Sequence, residues 1–357
     1  MFEQIIIKSH RKDYVVDFCP LSEEFVRLLS KDTFLLVDSN VNNLYPAFCQ
    51  IFDKNRVILI ESSENNKTIP YCQKILSELV EANFKKNHKI VAVGGGITQD
   101  IVGFVSSVLY RGVDWIFLPT TLLAQADSCI GSKISINLGS CKNLVGTFYP
   151  PSHIYCCPEF INTLGVQDIK SGIGEIMHYY LVDGTKSIDS LIASYDDLLK
   201  DPTTLTPHIR ESLNIKRKVI EKDEFDCGDR LTFNYWHTFG HAIEALTCYE
   251  VPHGQAITLG MDIANFVSLQ LGYISKDIYD YFYEFLKKNI PKFKLKKEDL
   301  NLYLSLISKD KKNTGDSIVC ILPYGVGDIR VKKIADKNIM KTCLQKYIEK
   351  DYTNELI

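Results

Sequence analysis

The segment that most restricts the fold runs from Lys89 to Tyr110, KIVAVGGGITQDIVGFVSSVLY. An uncharged, mostly β-branched run leads straight into Gly94-Gly95-Gly96, and apolar residues at helical spacing follow from Thr98. A run that is apolar on both faces suits a strand covered on both sides, as in a parallel sheet. Glycines at a strand-to-helix handover let the backbone approach a pyrophosphate, while the helix N-terminus supplies unpaired N–H groups. The pattern is GGGxxxD, not the GxGxxG fingerprint, so a tight turn without ligand competes with that reading.

TFLLVDSN (33–40), RVILIESSE (56–64) and WIFLPTT (115–121) repeat the theme of short apolar runs ending in polar residues. With helical segments between them, they predict a parallel α/β sheet. Asp38 and Asn40 close the first run, where a carboxylate can hold a ribose hydroxyl; a strand-end turn accounts for them equally well. Beyond about residue 165 the period changes. Segments 203–222, 237–247, 254–272 and 276–289 carry apolar residues at helical spacing, and only 316–334 reads as a hairpin, turning at Pro323-Tyr324-Gly325. The expectation is an α/β nucleotide-binding domain over 1–165 and a mainly α-helical domain over 166–357, with the ligand site in a cleft between domains.

Composition narrows the function. A net charge of −3 with scattered lysines argues against nucleic acid. The apolar stretches are too short or too interrupted to span a bilayer, and MFEQIIIKSHRKDY does not read as a signal peptide. Eleven cysteines without a CxxC point to reduced thiols used as small apolar residues in a cytoplasmic protein.

The histidines are concentrated. His237 and His241 lie four apart in HTFGHAIEAL and share a helix face, and His253 follows closely, from eight histidines in all. Zinc takes imidazole nitrogens with a carboxylate oxygen, and Glu175 in SGIGEIMHYY is a candidate for the carboxylate. Spacing does not say which of the three histidines bind, and core or capping roles remain the alternative.

The stretch VGGGITQDIVGFVSSVLYRGVDWIFLPTTLLAQADSCIGSK resembles the central signature of the 3-dehydroquinate synthases. SCKNLVGTFYPP, GIGEIMHYY, NYWHTFGHAIEAL, VPHGQAITLGM and SKDKKNTGD follow in that family's order and at its spacing, from about residue 35 to residue 330. The resemblance implies a Rossmann-like NAD-binding domain followed by a mainly helical one. It also implies one divalent metal, zinc or cobalt, on Glu175, His237 and His253, with His241 beside them on the phosphate side of the substrate. Asp38, Asn40, Glu64, Lys67, Gly95, Gly96, Asp100, Thr120, Thr121, Lys142 and Thr163 fall on positions that surround NAD. Lys133, Asn143, Asn234 and Lys312 match groups around the substrate phosphate. Lys216 and Arg230 match a carboxylate clamp, and Asp127 a residue near the substrate hydroxyls. Arg111 matches an arginine contributed across a dimer interface, so a homodimer is implied.

The reaction so implied is that of a phosphate-eliminating lyase. It converts 3-deoxy-arabino-heptulosonate 7-phosphate to 3-dehydroquinate, in the shikimate pathway of aromatic amino acid biosynthesis, with NAD regenerated in each turnover. A sugar phosphate cyclase of the same family acting on another sugar phosphate, in the manner of 2-deoxy-scyllo-inosose synthase, is the alternative. A metal-dependent alcohol dehydrogenase and a non-catalytic NAD-binding homologue are more distant rivals. Leu122-Leu123-Ala124-Gln125-Ala126-Asp127 follows the cyclase pattern and opposes the dehydrogenase.

Several positions depart from the family. His178 stands where a lysine is usual, three residues after Glu175, at a position expected to meet substrate hydroxyls. Gln99 and Trp236 each replace a glycine, the second just before His237. Phe233, Gln255 and Cys141 also differ from the common residue. The clamp residues Lys216 and Arg230 favour an acidic substrate, because a bidentate guanidinium and an ammonium suit a carboxylate.

Overall fold

A computed structural model describes residues 4–139, 141–184, 187–228, 230, 233, 236–308 and 317–353. Asn234 and Lys312 lie outside these residues. The chain forms two compact units: Met1–Gly165 with Asp201–Phe225, and Val166–Lys200 with Asp226–Ile357.

The first unit carries β1 (Ile5–Ile7), β2 (Tyr14–Phe18), β3 (Thr33–Asp38), β4 (Val57–Ile60), β5 (Lys89–Gly94), β6 (Trp115–Pro119), β7 (Lys133–Leu138), β8 (Cys141–Phe148) and β9 (His153–Cys156). Its helices are α1 (Glu23–Leu29), α2 (Ser39–Leu44), α3 (Pro46–Cys49), α4 (Ile69–Glu81) and α5 (Gly96–Val108). The second unit opens with α6 (Val166–Asp183) and α7 (Ser187–Lys200). After α8 (Thr206–Ile220), which groups with the first unit, come α9 (His237–Leu246), α10 (His253–Gln270), α11 (Lys276–Leu286), α12 (Leu300–Ser308), the β10 (Ile318–Gly325)/β11 (Asp328–Ile334) hairpin and α13 (Lys337–Thr353).

Seven strands form one sheet in the order β1-β2-β9-β6-β5-β3-β4. Every pairing is parallel except β1 with β2. All six residues of β3 are buried, and so is every residue of β5 except Lys89, as a strand covered on both faces requires. The chain passes from β3 outward to β4 and returns to β5 on the other side of β3. The connections leaving β3 and β5 therefore diverge and leave a crevice at the strands' carboxyl ends. Asp38 ends β3 and Gly94 ends β5, so both face this crevice end.

The sequence reading placed residues 201–225 in the second domain; they group with the first unit. The reason is α8, which packs on the π-helical segment Ala124–Ser128 and donates from Ser212 Oγ to Ala126 O at 2.8 Å. The hairpin is where the sequence put it, but its turn falls at Val326-Gly327, with Gly325 opposite Asp328. Gly327 has φ 74°, in the left-handed region that glycine adopts without steric cost. Pro323 lies within β10 instead, next to the irregularity in the register.

In the second unit, α10 is buried on nearly every side from Gly254 to Ser268 and serves as the central helix. It approaches α6 almost backbone to backbone. A Cβ on Gly174 would lie 2.0 Å from Gly254 O, and a Cβ on Gly254 would lie 1.8 Å from Ser171 O. Only glycine fits at both positions. Because Gly174 precedes Glu175 and Gly254 follows His253, this contact brings the two candidate ligands together.

Candidate functional site

In the first unit, α5 begins at the crevice with Gly95 as its N-cap, and no side chain caps its first turn. A helix start of this kind offers N–H groups and a positive dipole end to an anion. Thr120, buried just beyond β6, donates its backbone N–H to Gly94 O at 2.9 Å, and Thr121 sits beside Gly95. Asp38 caps α2, its Oδ1 accepting from Asn40 N at 2.7 Å, so the carboxylate is fixed at the strand end. Gln99, the replacement for glycine, is buried and turned onto Ser128: its Nε2 donates to Ser128 O at 2.6 Å and its Oε1 accepts from Ser128 Oγ at 2.7 Å.

A polar network runs alongside. Lys67 Nζ lies 2.5 Å from Asp100 Oδ2 and donates to Asn143 Oδ1 at 2.6 Å. Asp100 Oδ1 accepts from Ser135 N at 2.8 Å, and burial raises its carboxyl pKa against the pull of Lys67. Asn137 joins this group to Glu64, donating to Glu64 Oε1 at 2.8 Å and accepting from Asn143 N at 2.9 Å. Lys142 Nζ stands 3.9 Å from the same Glu64 oxygen. Thr163 lies apart from this network, its hydroxyl 3.3 Å from that of Tyr45. Lys133 opens β7 and is exposed.

Lys216 is buried and donates to Asp127 Oδ1 at 2.8 Å and to Asp127 O at 2.7 Å. Its charge is thus matched within the protein by Asp127, the residue that the resemblance sets near the substrate hydroxyls. Arg230 is buried in the second unit. Arg111 is exposed at the end of a 3-10 segment in which Tyr110 and Arg111 both have positive φ, at 49° and 65°.

The second unit holds the metal candidates. Glu175 and His178 sit one turn apart on α6, His237 and His241 begin α9, and His253 begins α10. Ligand nitrogens of His237, His241 and His253 lie within 4.8 Å of one another. Glu175 Oε1 is 3.2 Å from His253 Nε2 and 3.8 Å from His237 Nε2. That oxygen is buried and receives no hydrogen bond of regular geometry. Ligand atoms gathered this closely around a buried carboxylate oxygen are the arrangement a cation satisfies. Two imidazoles and a carboxylate, His253, His237 and Glu175, suit zinc or cobalt, with the His241 imidazole beside them, so the residues fit the implied metal.

Glu244 completes the centre, and the sequence reading did not name it. His253 Nδ1 meets Glu244 Oε2 at 3.1 Å, which leaves Nε2 to face Glu175. A carboxylate behind a ligating histidine fixes its tautomer and raises its basicity. The signal was present: Glu244 is three residues after His241 and seven after His237, on the same helix face.

Electrostatics follow from the packing. Burial works to raise the Glu175 pKa, but the imidazoles of His178, His253 and His237 outweigh it and hold the carboxyl well below its ordinary range. Burial drives His237 well below the usual histidine value, against the pull of Glu175. Burial opposes the charged form of His253 as well, yet its contacts with Glu175 and Glu244 raise its pKa well above the usual value.

The family profile described as 3-dehydroquinate synthase N-terminal matches residues 57–171, and that described as 3-dehydroquinate synthase C-terminal matches residues 172–313. The chain is 38% identical over 271 residues to the 3-dehydroquinate synthase of Clostridium tetani (strain Massachusetts / E88), covering 75% of this chain and 72% of that protein. It is 38% identical over 276 residues to that of Helicobacter pylori (strain ATCC 700392 / 26695), covering 77% and 79%. A solved structure of 2-deoxy-scyllo-inosose synthase complexed with carbaglucose-6-phosphate, NAD+ and Co2+ superposes with a TM-score of 0.86 at 23% identity, over 96% of this chain and 100% of the other. A 2-epi-5-epi-valiolone synthase from Streptomyces hygroscopicus subsp. jinggangensis 5008, with NAD+ and Zn2+ bound, gives 0.82 at 20% identity, over 94% and 97%. At these identities the structural matches establish the shared fold.

Proposed function

The chain belongs to the 3-dehydroquinate synthase family, and from that premise we propose that it converts 3-deoxy-arabino-heptulosonate 7-phosphate to 3-dehydroquinate and phosphate, as a cytoplasmic homodimer. The observation that carries this reading is the orphaned Glu175 oxygen facing His253 and His237, at the positions the resemblance assigns to the metal. When bound, the metal would acidify the reacting alcohol, and NAD would accept and return its hydride.

The protein's own residues supply binding, orientation and charge. Glu175, His237 and His253 hold the metal, with His241 on the phosphate side. The uncapped α5 start takes the dinucleotide's pyrophosphate, with Asp38 at its ribose and the Lys67–Asp100–Glu64 network beside it. Lys133, Asn143, Asn234 and Lys312 receive the leaving phosphate, whose charge grows as its bond breaks; fixed cations there stabilise that growth. Arg230 and Lys216 orient the substrate carboxylate, Lys216 being preset by Asp127. Arg111 acts in the partner subunit's site, and the exposed left-handed turn at Tyr110-Arg111 suits a residue presented outward.

A second reading, a cyclase of the same family acting on another sugar phosphate, is favoured by one observation: His178 Nδ1 meets Glu175 at 3.3 Å where a lysine would extend toward substrate hydroxyls. The test is phosphate release and product mass, with the metal- and NAD-loaded protein given the heptulosonate phosphate or glucose 6-phosphate. Release from the acidic substrate alone is expected. Turnover of glucose 6-phosphate without turnover of the heptulosonate would replace the first reading by the second.

A further inference from the structure

Two departures from the family meet beside the metal centre. His178 is 1% exposed, and its Nδ1 lies 3.3 Å from Glu175 Oε2, the carboxylate oxygen turned away from His253 and His237. A buried carboxylate facing an imidazole nitrogen is satisfied by an N–H donor, which places a proton on Nδ1 of His178. Its Nε2 is buried and has no hydrogen-bond partner among the described residues. Shape, and no second hydrogen bond, therefore holds the ring in place. The contacts are aromatic: Trp236 stands edge-on at 5.3 Å between centroids and 79°, and Phe233 at 6.1 Å and 82°.

Trp236 is also the backbone outlier of this region. It has φ 66° and ψ −18° at the N-cap of α9, immediately before His237, and its side chain is 1% exposed. Glycine adopts that conformation without cost, and a bulky residue there is a strained exception. Strain of this kind persists where surrounding structure over-determines it, and the ring's seat against His178 is that structure.

We propose that His178 is a positioning residue for the metal-ligand carboxylate Glu175, that Trp236 holds the His178 ring in place, and that the two departures are one coupled exchange. A lysine at 178 would need for its four-carbon stem the volume that the Trp236 ring fills. A histidine without that ring would be free to turn away from Glu175. The proposal rests on the metal reading above, but it does not depend on which sugar phosphate is the substrate.

Zinc affinity, measured by competition with a chromophoric chelator in the absence of substrate, tests it. His178→Asn places an amide N–H where Nδ1 sits, so affinity within about 3-fold of wild type is expected. His178→Phe fills the space without a donor, and affinity should fall by about 10-fold or more, the scale on which partners behind metal ligands act. Should that variant not fold, His178→Gln carries the test, because its longer side chain carries the amide toward the Nε2 position and should weaken binding similarly. Equal affinity for the Asn variant and the Phe or Gln variant overturns the positioning role.

The coupling has its own readout. Trp236→Gly should weaken zinc binding in the wild-type background, yet raise both zinc affinity and Tm when added to His178→Lys. Additive effects of the two substitutions overturn the coupled exchange. A wild-type protein that holds no zinc removes the metal reading itself, whereas failure of the heptulosonate assay with zinc retained leaves this proposal standing.

Discussion

Between His253 and Glu244, one contact of 3.1 Å decides which imidazole nitrogen faces Glu175. Replacing Glu244 with alanine frees the ring to take its other tautomer and removes a charge from behind it. Zinc affinity should then fall on the order of 10- to 100-fold while Tm of the metal-free protein changes little. Chelator competition measures this, and an unchanged affinity contradicts the role given to Glu244. At this scale the sequence was legible where residue type alone is informative. Three histidines close together and a glutamate in a glycine-rich helix announce ligand chemistry, and the structure gathers the histidine nitrogens within 4.8 Å. Partnerships made by tertiary packing were not legible. Lys216 lies 89 positions from Asp127, so nothing local showed that its charge was already matched.

The contact of α6 with α10 is what turns those residues into a site. A methyl group on Gly254 would meet the Ser171 carbonyl at 1.8 Å, and backbone cannot yield as a flexible side chain does. Gly254→Ala should therefore push the helices apart, at a cost of about 1–3 kcal/mol or more, typical of overpacking. Since His253 and Glu175 flank this contact, zinc retention should fall along with Tm. Thermal denaturation with metal analysis checks both, and an unshifted Tm would show that the helices do not meet so closely. Long helices with strong periodicity were readable: 237–247 became α9 and 276–289 became α11, each within a few residues. The β7/β8 hairpin was not. β8 is mostly exposed along CKNLVGTF, and without an apolar face it lacks the alternation that marks a strand. β1 and β2 escaped for a related reason, since three and five residues make too short a pattern.

For the whole molecule, the class of fold was legible because it depends on averages: buried runs separated by helices, then helices with one late hairpin. The division between units was less so. Residues 201–225 join the first unit through α8 and its seat on Ala124–Ser128, a contact between distant segments that period and composition do not encode. Among the described residues, no helix is long and apolar enough to cross a membrane. Family membership brings the substrate question down to one reaction cycle, in which oxidation and reduction cancel and phosphate is lost. That cancellation separates a cyclase from a dehydrogenase with the same two cofactors. The most direct measurement is therefore the phosphate released per NAD supplied, with zinc-loaded protein and the heptulosonate phosphate in large excess over NAD. Phosphate far exceeding the NAD present, with no build-up of NADH, is the expected result. Release that stops at one equivalent per NAD while NADH accumulates would contradict the cyclase and make the protein a dehydrogenase.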